Sequence, residues 1–207
     1  MIVDDRIAIC GSSNINDRSQ LGFHDSELSI VMEDTLPLKS LMDGQEYTAG
    51  HHAATLRRML WREHLGLLRA QSLDAEGDPN ALPPGDAEND WCQGDEYDAF
   101  VADPLNDDLW KMWTGNATQN TEVFRHLFHA DPDDHIKTFE DYDKFVGVAG
   151  SRKAGHLYDE YQPVDLIRGE LDKIKGHLVW MPLDFLCNAQ MAEVGLQVNN
   201  ITESIYT

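Results

Sequence analysis

A short polar turn near the start of the chain carries the residues best placed to do chemistry. The tetrapeptide Gly11–Asn14 (GSSN) follows directly on the apolar run Ile7–Cys10, and it ends that run with small hydrogen-bond donors and acceptors. Asp4 precedes it, so that the pattern reads D-x6-G-S-x-N. The hydroxyl and amide groups of this turn could bind a ligand. They could equally form a plain turn, because Gly-Ser-x-Asn sequences are common.

The nine histidines raise the separate question of a metal site. The densest groupings are His51-His52, His126-x-x-His129 and His135. No matched set of cysteines or carboxylates accompanies them at the spacing that metal ligands need. Surface or core-edge positions are therefore favoured for these side chains, and the sequence predicts neither a metal nor another cofactor.

The chain has 207 residues and a net charge of -21, and these two properties limit the structural class and the kinds of partner that it can have. Its 42% of hydrophobic residues is a little low, but five Trp, seven Phe and six Tyr provide enough material for a globular core. The acidity argues against a nucleic-acid partner, because phosphate binding needs a basic surface. Between Gln71 and Asp108 there are twelve acidic residues and no Lys or Arg, together with clustered Pro and Gly. This composition predicts an acidic loop or insertion over 71–108 that is disordered and solvated.

The elements that must position the turn lie mainly at the start of the chain. The sequence predicts two short strands before the turn and a third over Leu28–Met32. A helical period then runs from Tyr47 to Leu68, with arginines predicted on its face away from the core. The interleaved basic and apolar residues of Arg57–Arg62 could touch a membrane surface, although an amphipathic helix packed on a sheet is the favoured interpretation.

Further helices and one strand are predicted after the acidic segment. Asn106–Met112 is predicted as a short helix, Asn120 as the cap of a second that ends near Phe128, and Thr138 as the start of a third. His177–Met181 has the composition of a strand. The predicted fold class is therefore α/β, with the sheet signals at the two ends of the chain.

Cysteine use and hydropathy indicate an intracellular chain. The three cysteines, Cys10, Cys92 and Cys187, are far apart, and Cys10 in its apolar strand is predicted to be a small buried thiol. No apolar stretch reaches the length of a membrane span, and the start does not have the pattern of a signal peptide.

The spacing from Asp4 to Asn14 resembles the second half of the HKD motif, H-x-K-x4-D-x6-G-S-x-N, of the phospholipase D superfamily. If the patterns are aligned, the motif Lys falls two residues before Met1 and the motif His two residues before that. Met1 then lies inside the motif strand, and we expect that the chain carries only the tail of a second HKD motif whose beginning is missing.

The resemblance extends over nearly the whole chain outside the acidic segment. The stretch Asn14–Asp34 resembles the segment after the second HKD motif in eukaryotic phosphatidylcholine-type phospholipases D, and Leu56–Leu67 resembles their next helix. NTEVFRHLF and PDDHIKTFEDYDKFV resemble the family's C-terminal region, and Gly176–Leu186 resembles its closing strand. The chain is thus identified as a C-terminal fragment of a eukaryotic, fungal-type phospholipase D.

The resemblance implies an architecture and a division of the chain. The expected fold is a partial phospholipase D-like half-domain, a mixed sheet with flanking helices, plus a C-terminal extension. Residues 1–70 would be the remainder of the second catalytic half-domain, and 109–207 the C-terminal region of the catalytic domain, on either side of the acidic insertion.

The resemblance also implies a mechanism. A histidine of one motif attacks the phosphodiester of phosphatidylcholine to form a phosphohistidine, and the other motif's histidine protonates the leaving choline. Water or a primary alcohol then takes the phosphatidyl group, giving phosphatidic acid in hydrolysis, and no metal is needed. The chemistry requires two facing motifs, so the chain alone, without the motif His and Lys, is expected to be inactive.

Five residues of this chain match functional positions of the family. Ser12, Asn14 and Gly11 are expected to form the phosphate-binding turn, in which Ser12 and Asn14 contact the phosphoryl oxygens and Gly11 lets the backbone pack closely. Asp4 belongs to the catalytic signature, where we expect it to hold local structure. Glu27 resembles the family acid that orients the motif histidine.

Two classes of function remain open. The first is an enzyme of phospholipid metabolism, cytoplasmic and peripherally bound to a membrane surface, whose partners are its phospholipid substrate and the missing N-terminal half. The alternative is a non-catalytic fragment that binds lipid or a protein partner. A phospholipase D-like nuclease is disfavoured by the charge and by the lipase-like C-terminal region.

Overall fold

The computed structural model describes residues 1–68, 94–146, 157–158 and 162–189. The chain divides into two compact units that interleave along the sequence. The first unit contains Met1–Cys10, Ile30–Asn120 and Lys175–Val179, and the second contains Gly11–Ser29, Thr121–Ile174 and Trp180–Thr207. Small sheets combine with helices, which confirms the predicted α/β class. The assignment of 1–70 and 109–207 to parts of a catalytic domain stays a prediction.

The opening strands form a three-stranded sheet. Strands β1 (Ile2–Val3) and β2 (Ile7–Gly11) pair antiparallel, and β3 (Ser29–Glu33) lies on the other side of β2. The third strand thus begins one residue later than the sequence indicated.

The prediction that Cys10 is a buried thiol was wrong, because Cys10 is exposed. Ala8, two residues earlier on the same face of the strand, is buried. Cys187 is exposed as well, and Cys92 lies outside the described residues.

A hairpin replaces the first turn of the predicted long helix. Strands β4 (Pro37–Met42) and β5 (Gln45–Gly50) pair antiparallel from Pro37↔Gly50 to Met42↔Gln45. The two-residue turn is Asp43-Gly44, with φ angles of 53° and 68°, the conformation that an Asp-Gly hairpin turn favours. The prediction of helix from Tyr47 was therefore wrong up to Gly50. Pairing with a strand earlier in the chain overrides the local helical period.

Helix α2 (His51–Leu65) corrects a second prediction, because its arginines face inward. Arg57, Arg58 and Arg62 are buried, so this helix presents no basic face to a membrane. Arg58 and Arg62 lie 3.5 Å and 3.6 Å from the carboxylate of Asp98. The helical period had placed polar residues outside, but paired charges can be buried when each finds a partner.

The C-terminal end of the predicted acidic loop is ordered and supplies those partners. Helix α3 (Glu96–Phe100) lies in this segment, and Val101 is fully buried in a core with Leu65 and Leu109. The buried carboxylate of Asp103 accepts hydrogen bonds from the backbone N–H groups of Asp43 (3.0 Å) and Gly44 (2.6 Å). The prediction of disorder was thus wrong for 94–108, and the rest of the segment, 71–93, lies outside the described residues.

One long helix, α4 (Asp107–Phe128), replaces two predicted short ones. Asn120, the predicted cap, lies inside this helix and is fully buried. Its side-chain amide donates to the carbonyls of Lys175 (2.9 Å) and Leu178 (2.8 Å), and its oxygen accepts from the N–H of Lys175 (3.0 Å). The asparagine therefore anchors a later segment of the first unit and does not start a helix.

The segment His177–Met181 is not a strand, contrary to the prediction. The N–H of His177 donates to the carbonyl of His64 in α2 (2.9 Å), and the carbonyl of Leu178 accepts from the side chain of Asn120 in α4 (2.8 Å). These backbone groups therefore bond to helices and not to a neighbouring strand.

The remaining helices of the described residues lie in the second unit: α1 (Asp17–Gln20), α5 (Phe139–Val146) and α6 (Val164–Leu171). Thr138 caps α5 as predicted, since its Oγ1 accepts from the N–H of Asp141 (3.2 Å).

Two glycines, Gly66 and Gly176, meet face to face where α2 ends, and we expect Gly176→Ala to destabilise the first unit. A Cβ on Gly176 would lie 1.9 Å from the carbonyl oxygen of His64, and the residue has a φ of 64°. The left-handed backbone alone costs about 1–2 kcal/mol for a residue with a Cβ, and the overlap adds to that cost. Chemical denaturation followed by circular dichroism would measure the loss.

Gly115→Ala is the matched control, because Gly115 lies in the interior of α4 with open space around its Cβ position. Here alanine is expected to stabilise by roughly 0.5–1 kcal/mol through helix propensity. Equal stability of the two variants would show that the glycine contact is not needed.

Within the described ranges, no helix is long and apolar enough to cross a membrane.

Candidate active site

The GSSN turn opens onto a pocket of about 510 Å³ in the second unit. The pocket is wide and open to solvent, and all of its lining comes from one short stretch of chain between the ends of β2 and β3. Its lining residues are polar or charged: Ser12, Asn14, Asn16, Arg18, Ser19, His24, Asp25, Ser26 and Glu27.

Glu27 is the centre of the hydrogen-bond network in this pocket. Its two carboxylate oxygens accept one hydroxyl each, from Ser12 and from Ser19. These bonds, that from Ser12 foremost, and to a lesser degree the charge of Arg18, hold the pKa of Glu27 below its ordinary value despite partial burial. Glu27 is thus held in its ionised form by donors within the pocket.

Ser12 is tied into the same network on both sides. Its Oγ accepts from the N–H of Leu28 (3.1 Å) while its hydroxyl donates to Glu27, and its own N–H donates to the carbonyl of Leu28 (3.0 Å). The single hydroxyl proton of Ser12 is therefore already used. In this arrangement the serine supports the carboxylate, and a phosphoryl contact would require the hydroxyl to rotate away from Glu27.

Asn14 presents a side-chain donor of the turn to the pocket. Its backbone is bound at both ends, by Ser19 at the N–H (3.0 Å) and by Gln20 at the carbonyl (2.9 Å). Its exposed side-chain amide makes no hydrogen bond to the part of the chain that the structure describes, and it lines the pocket. An amide on a fixed backbone is well suited to donate to an anionic oxygen.

An ion pair forms part of the wall. Arg18 lies 2.9 Å from Asp25, and both side chains remain about half exposed. Together with Glu27, the pocket holds one arginine and two carboxylates, a formal net charge of -1 with His24 neutral. The pocket thus combines donors for an oxyanion with acceptors for a cation.

Two of the predicted site residues do not line this pocket. Asp4, with a φ of 50°, lies in the first unit, and its carbonyl accepts from the hydroxyl of Tyr47 (2.8 Å). Gly11 ends β2, where an added Cβ would lie 2.2 Å from the Oγ of Ser29, so the predicted close packing of Gly11 is present. Neither observation tests a role in catalysis, and both roles stay predictions.

Ser19 and Arg18 were missed by the sequence reasoning. Asn16 caps α1, since its Oδ1 accepts from the N–H of Ser19 (3.0 Å). An Asn-Asp pair before a polar tetrapeptide is a helix-start signal. It could have predicted the short helix, but it could not predict that the helix folds back onto the turn.

The described residues contain no group of three or more His, Cys, Asp and Glu side chains that could hold a metal ion. His129, one of the grouped histidines, makes contacts of a different kind. Its ring stacks on Phe145 and Tyr158 with centroid distances of 4.3 Å and 3.5 Å, and its Nδ1 lies 2.6 Å from the carbonyl of Phe145.

A family profile and several curated proteins that are similar to this chain agree on one family. The family profile described as Phospholipase D matches residues 1–82. Phospholipase D zeta 1 of Arabidopsis thaliana is 34% identical over 209 residues, which cover 94% of this chain and 17% of that protein. Phospholipase D2 of Bos taurus is 33% identical, with 90% and 16% covered, and phospholipase D1 of Homo sapiens is 32% identical, with 90% and 14% covered. The chain spans about a sixth of the length of these relatives. The fungal type stays a prediction.

Proposed function

Because this chain belongs to the phospholipase D family, we propose that its GSSN turn forms part of the phosphodiester site of a phospholipase D. The reaction is hydrolysis of phosphatidylcholine to phosphatidic acid and choline, or transfer of the phosphatidyl group to an alcohol. A motif histidine forms the bond to phosphorus as the bond to the choline oxygen breaks, and that oxygen takes a proton from the second motif's histidine. Water then displaces the histidine.

The observation that carries the proposal is the composition of the pocket. Asn14 offers its exposed side-chain amide, unbonded within the described residues, to a phosphoryl oxygen, and Arg18 adds a positive charge in the same wall. Asp25 and Glu27 supply negative charge that complements a quaternary ammonium. A zwitterionic phosphodiester such as a phosphocholine ester therefore matches the pocket better than a phosphate dianion, which the net negative charge repels.

The proposal includes two partners and a location. A second motif-bearing half must face the turn, because the two-step reaction needs a histidine from each motif. The substrate lies in a bilayer, so the enzyme works at a membrane surface from the cytoplasmic side. Asp4 holds the motif strand, and Glu27 orients the motif histidine once that residue is present.

We expect sn-glycero-3-phosphocholine to bind this pocket in the millimolar range and glycerol 3-phosphate to bind more weakly. Titration of the isotope-labelled chain, followed by NMR, should move the side-chain amide signal of Asn14 and the backbone signals of its pocket neighbours. Asn14→Ala should weaken binding several-fold, because it removes the unengaged donor. Thr114→Ala is the control, since Thr114 is an exposed residue of α4 that does not line the pocket.

Tighter binding of glycerol 3-phosphate than of the phosphocholine ester would contradict the proposed substrate class. No shift at the pocket with either ligand would contradict the phosphodiester site itself.

A further inference from the structure

Ser19 stands between the two parts of the pocket that a ligand would use. Its hydroxyl contacts both the backbone of Asn14 and the carboxylate of Glu27. We propose that Ser19 is a positioning residue of this site, which holds the phosphoryl-binding asparagine and the pocket carboxylate in a fixed relation. This inference rests on the proposed function for its meaning in catalysis, although its geometry is independent of that function.

A single hydroxyl can make both contacts at once. The N–H of Asn14 donates to Ser19 Oγ (3.0 Å), and the same oxygen donates its own proton to Glu27 Oε1. A serine hydroxyl has one donor and two acceptor positions, so the two bonds do not compete. The bond to the ionised Glu27 polarises the hydroxyl and strengthens it as an acceptor for Asn14.

Ser19 is itself held in place by the helix α1. The side chain of Asn16 accepts from the N–H of Ser19 (3.0 Å), which closes the first turn. The next residue, Gln20, donates from its side chain to the carbonyl of Asn14 (2.9 Å). Consecutive residues of α1 thus bind the two backbone groups of Asn14, which fixes the direction in which its side chain leaves the backbone.

Ser19 also completes the set of donors around Glu27. Ser12 binds one carboxylate oxygen and Ser19 the other, and both bonds lower the pKa of Glu27. The other charged or titratable groups that line the pocket are Arg18, His24 and Asp25. Without the hydroxyl of Ser19, the ionised form of Glu27 loses one donor, so its pKa should move up toward the ordinary value.

The direction of this pKa shift determines how the stability that the Glu27 bonds contribute depends on pH. Because the folded-state pKa of Glu27 lies below its ordinary value, its bonds to the serines contribute fully above the ordinary glutamate pKa. The contribution is lost as the pH falls through the folded-state pKa. In Ser19→Ala the remaining contribution should be smaller, and its loss should be complete at a higher pH than in the unchanged chain.

The test measures the pocket of the full 207-residue chain by NMR. The side-chain carboxyl carbon of Glu27 is followed against pH, and the amide hydrogen exchange of Asn14 is measured at one pH. Ser19→Ala should raise the Glu27 midpoint and speed Asn14 exchange about fivefold, the equivalent of one ordinary hydrogen bond. Ser19→Thr keeps the hydroxyl and should restore both values, and Thr114→Ala, which removes an exposed hydroxyl on α4 away from the pocket lining, should change neither.

A folded Ser19→Ala with an unchanged Glu27 midpoint and unchanged Asn14 exchange would overturn the proposal, because a residue needed only for stability would leave that titration in place. If Ser19→Ala does not fold, Ser19→Cys is measured in the same way, since a thiol is a much weaker donor of similar shape. An unshifted Glu27 midpoint in the cysteine variant would also contradict the proposal. Failure of the unchanged chain to bind the phosphocholine ester would remove the proposed function while these measurements still decide the role of Ser19.

Discussion

The purified 207-residue chain is expected to release no choline from phosphatidylcholine vesicles, with or without an alcohol acceptor. The motif pattern needs a nucleophilic histidine and a lysine before Asp4, and the chain does not contain them. In a protease where it was measured, loss of the nucleophile lowered turnover on the order of a million-fold. The pocket still holds Asn14 and Glu27, so binding of a phosphocholine ester without turnover is the expected combination.

The assay needs a control for traces of host phospholipase. Asn14→Ala, purified in parallel, carries the same contaminants but lacks the free pocket donor. Choline release above that control would contradict the prediction. It would direct attention to His24, the histidine among the described pocket residues, and His24→Ala would then have to abolish the release.

Arg57→Ala is expected to lower the free energy of unfolding by about 3–5 kcal/mol, the usual cost of removing one partner of a buried ion pair. The guanidinium of Arg57 lies 2.6 Å and 2.8 Å from the two carboxylate oxygens of Asp5, and both side chains are buried. It also donates to the carbonyls of Val101 (2.7 Å) and Ala102 (2.9 Å) and lies 4.6 Å from the ring of Trp61. Alanine would leave the buried carboxylate of Asp5 and the carbonyl of Val101 unpaired, while the carbonyl of Ala102 would keep its bond from the hydroxyl of Ser40 (3.2 Å).

Urea denaturation followed by circular dichroism measures this loss. Arg57→Lys should give a smaller loss, because lysine keeps the charge but not the two-pronged contact with Asp5. Lys111→Ala is the matched control, since Lys111 pairs with Asp108 at 2.8 Å on an exposed face, where ion pairs contribute little. Equal midpoints for Arg57→Ala and Lys111→Ala would show that the buried pair does not stabilise the first unit.

The surroundings of this ion pair include part of the segment that was predicted to be a disordered, solvated loop. Val101 and Ala102 lie between 94 and 108, and their carbonyls complete the surroundings of Arg57. Composition indicated a solvated loop because it counts charges and does not show which of them find partners. In the folded chain Asp98 and Asp103 are buried, and they neutralise arginines or bind backbone N–H groups of the first unit.

The family could be predicted from the sequence, and so could three of the nine residues that line the pocket. The spacing from Asp4 to Asn14 identifies the motif, and Ser12, Asn14 and Glu27 do line one pocket. Local signals also predicted the opening strands and the start of α5 at Thr138, because short strands, turns and caps depend on neighbouring residues.

What only the tertiary structure decided depends on contacts between residues far apart in the chain. The outward face assigned to the α2 arginines turned inward because Asp5 and Asp98, which lie about forty to fifty positions away, pair with them. Asn120 became a buried anchor because the carbonyls of Lys175 and Leu178 meet its amide. Local periodicity cannot show such pairings, because the sequence pattern is the same whether water or a distant residue forms the hydrogen bonds of a polar side chain.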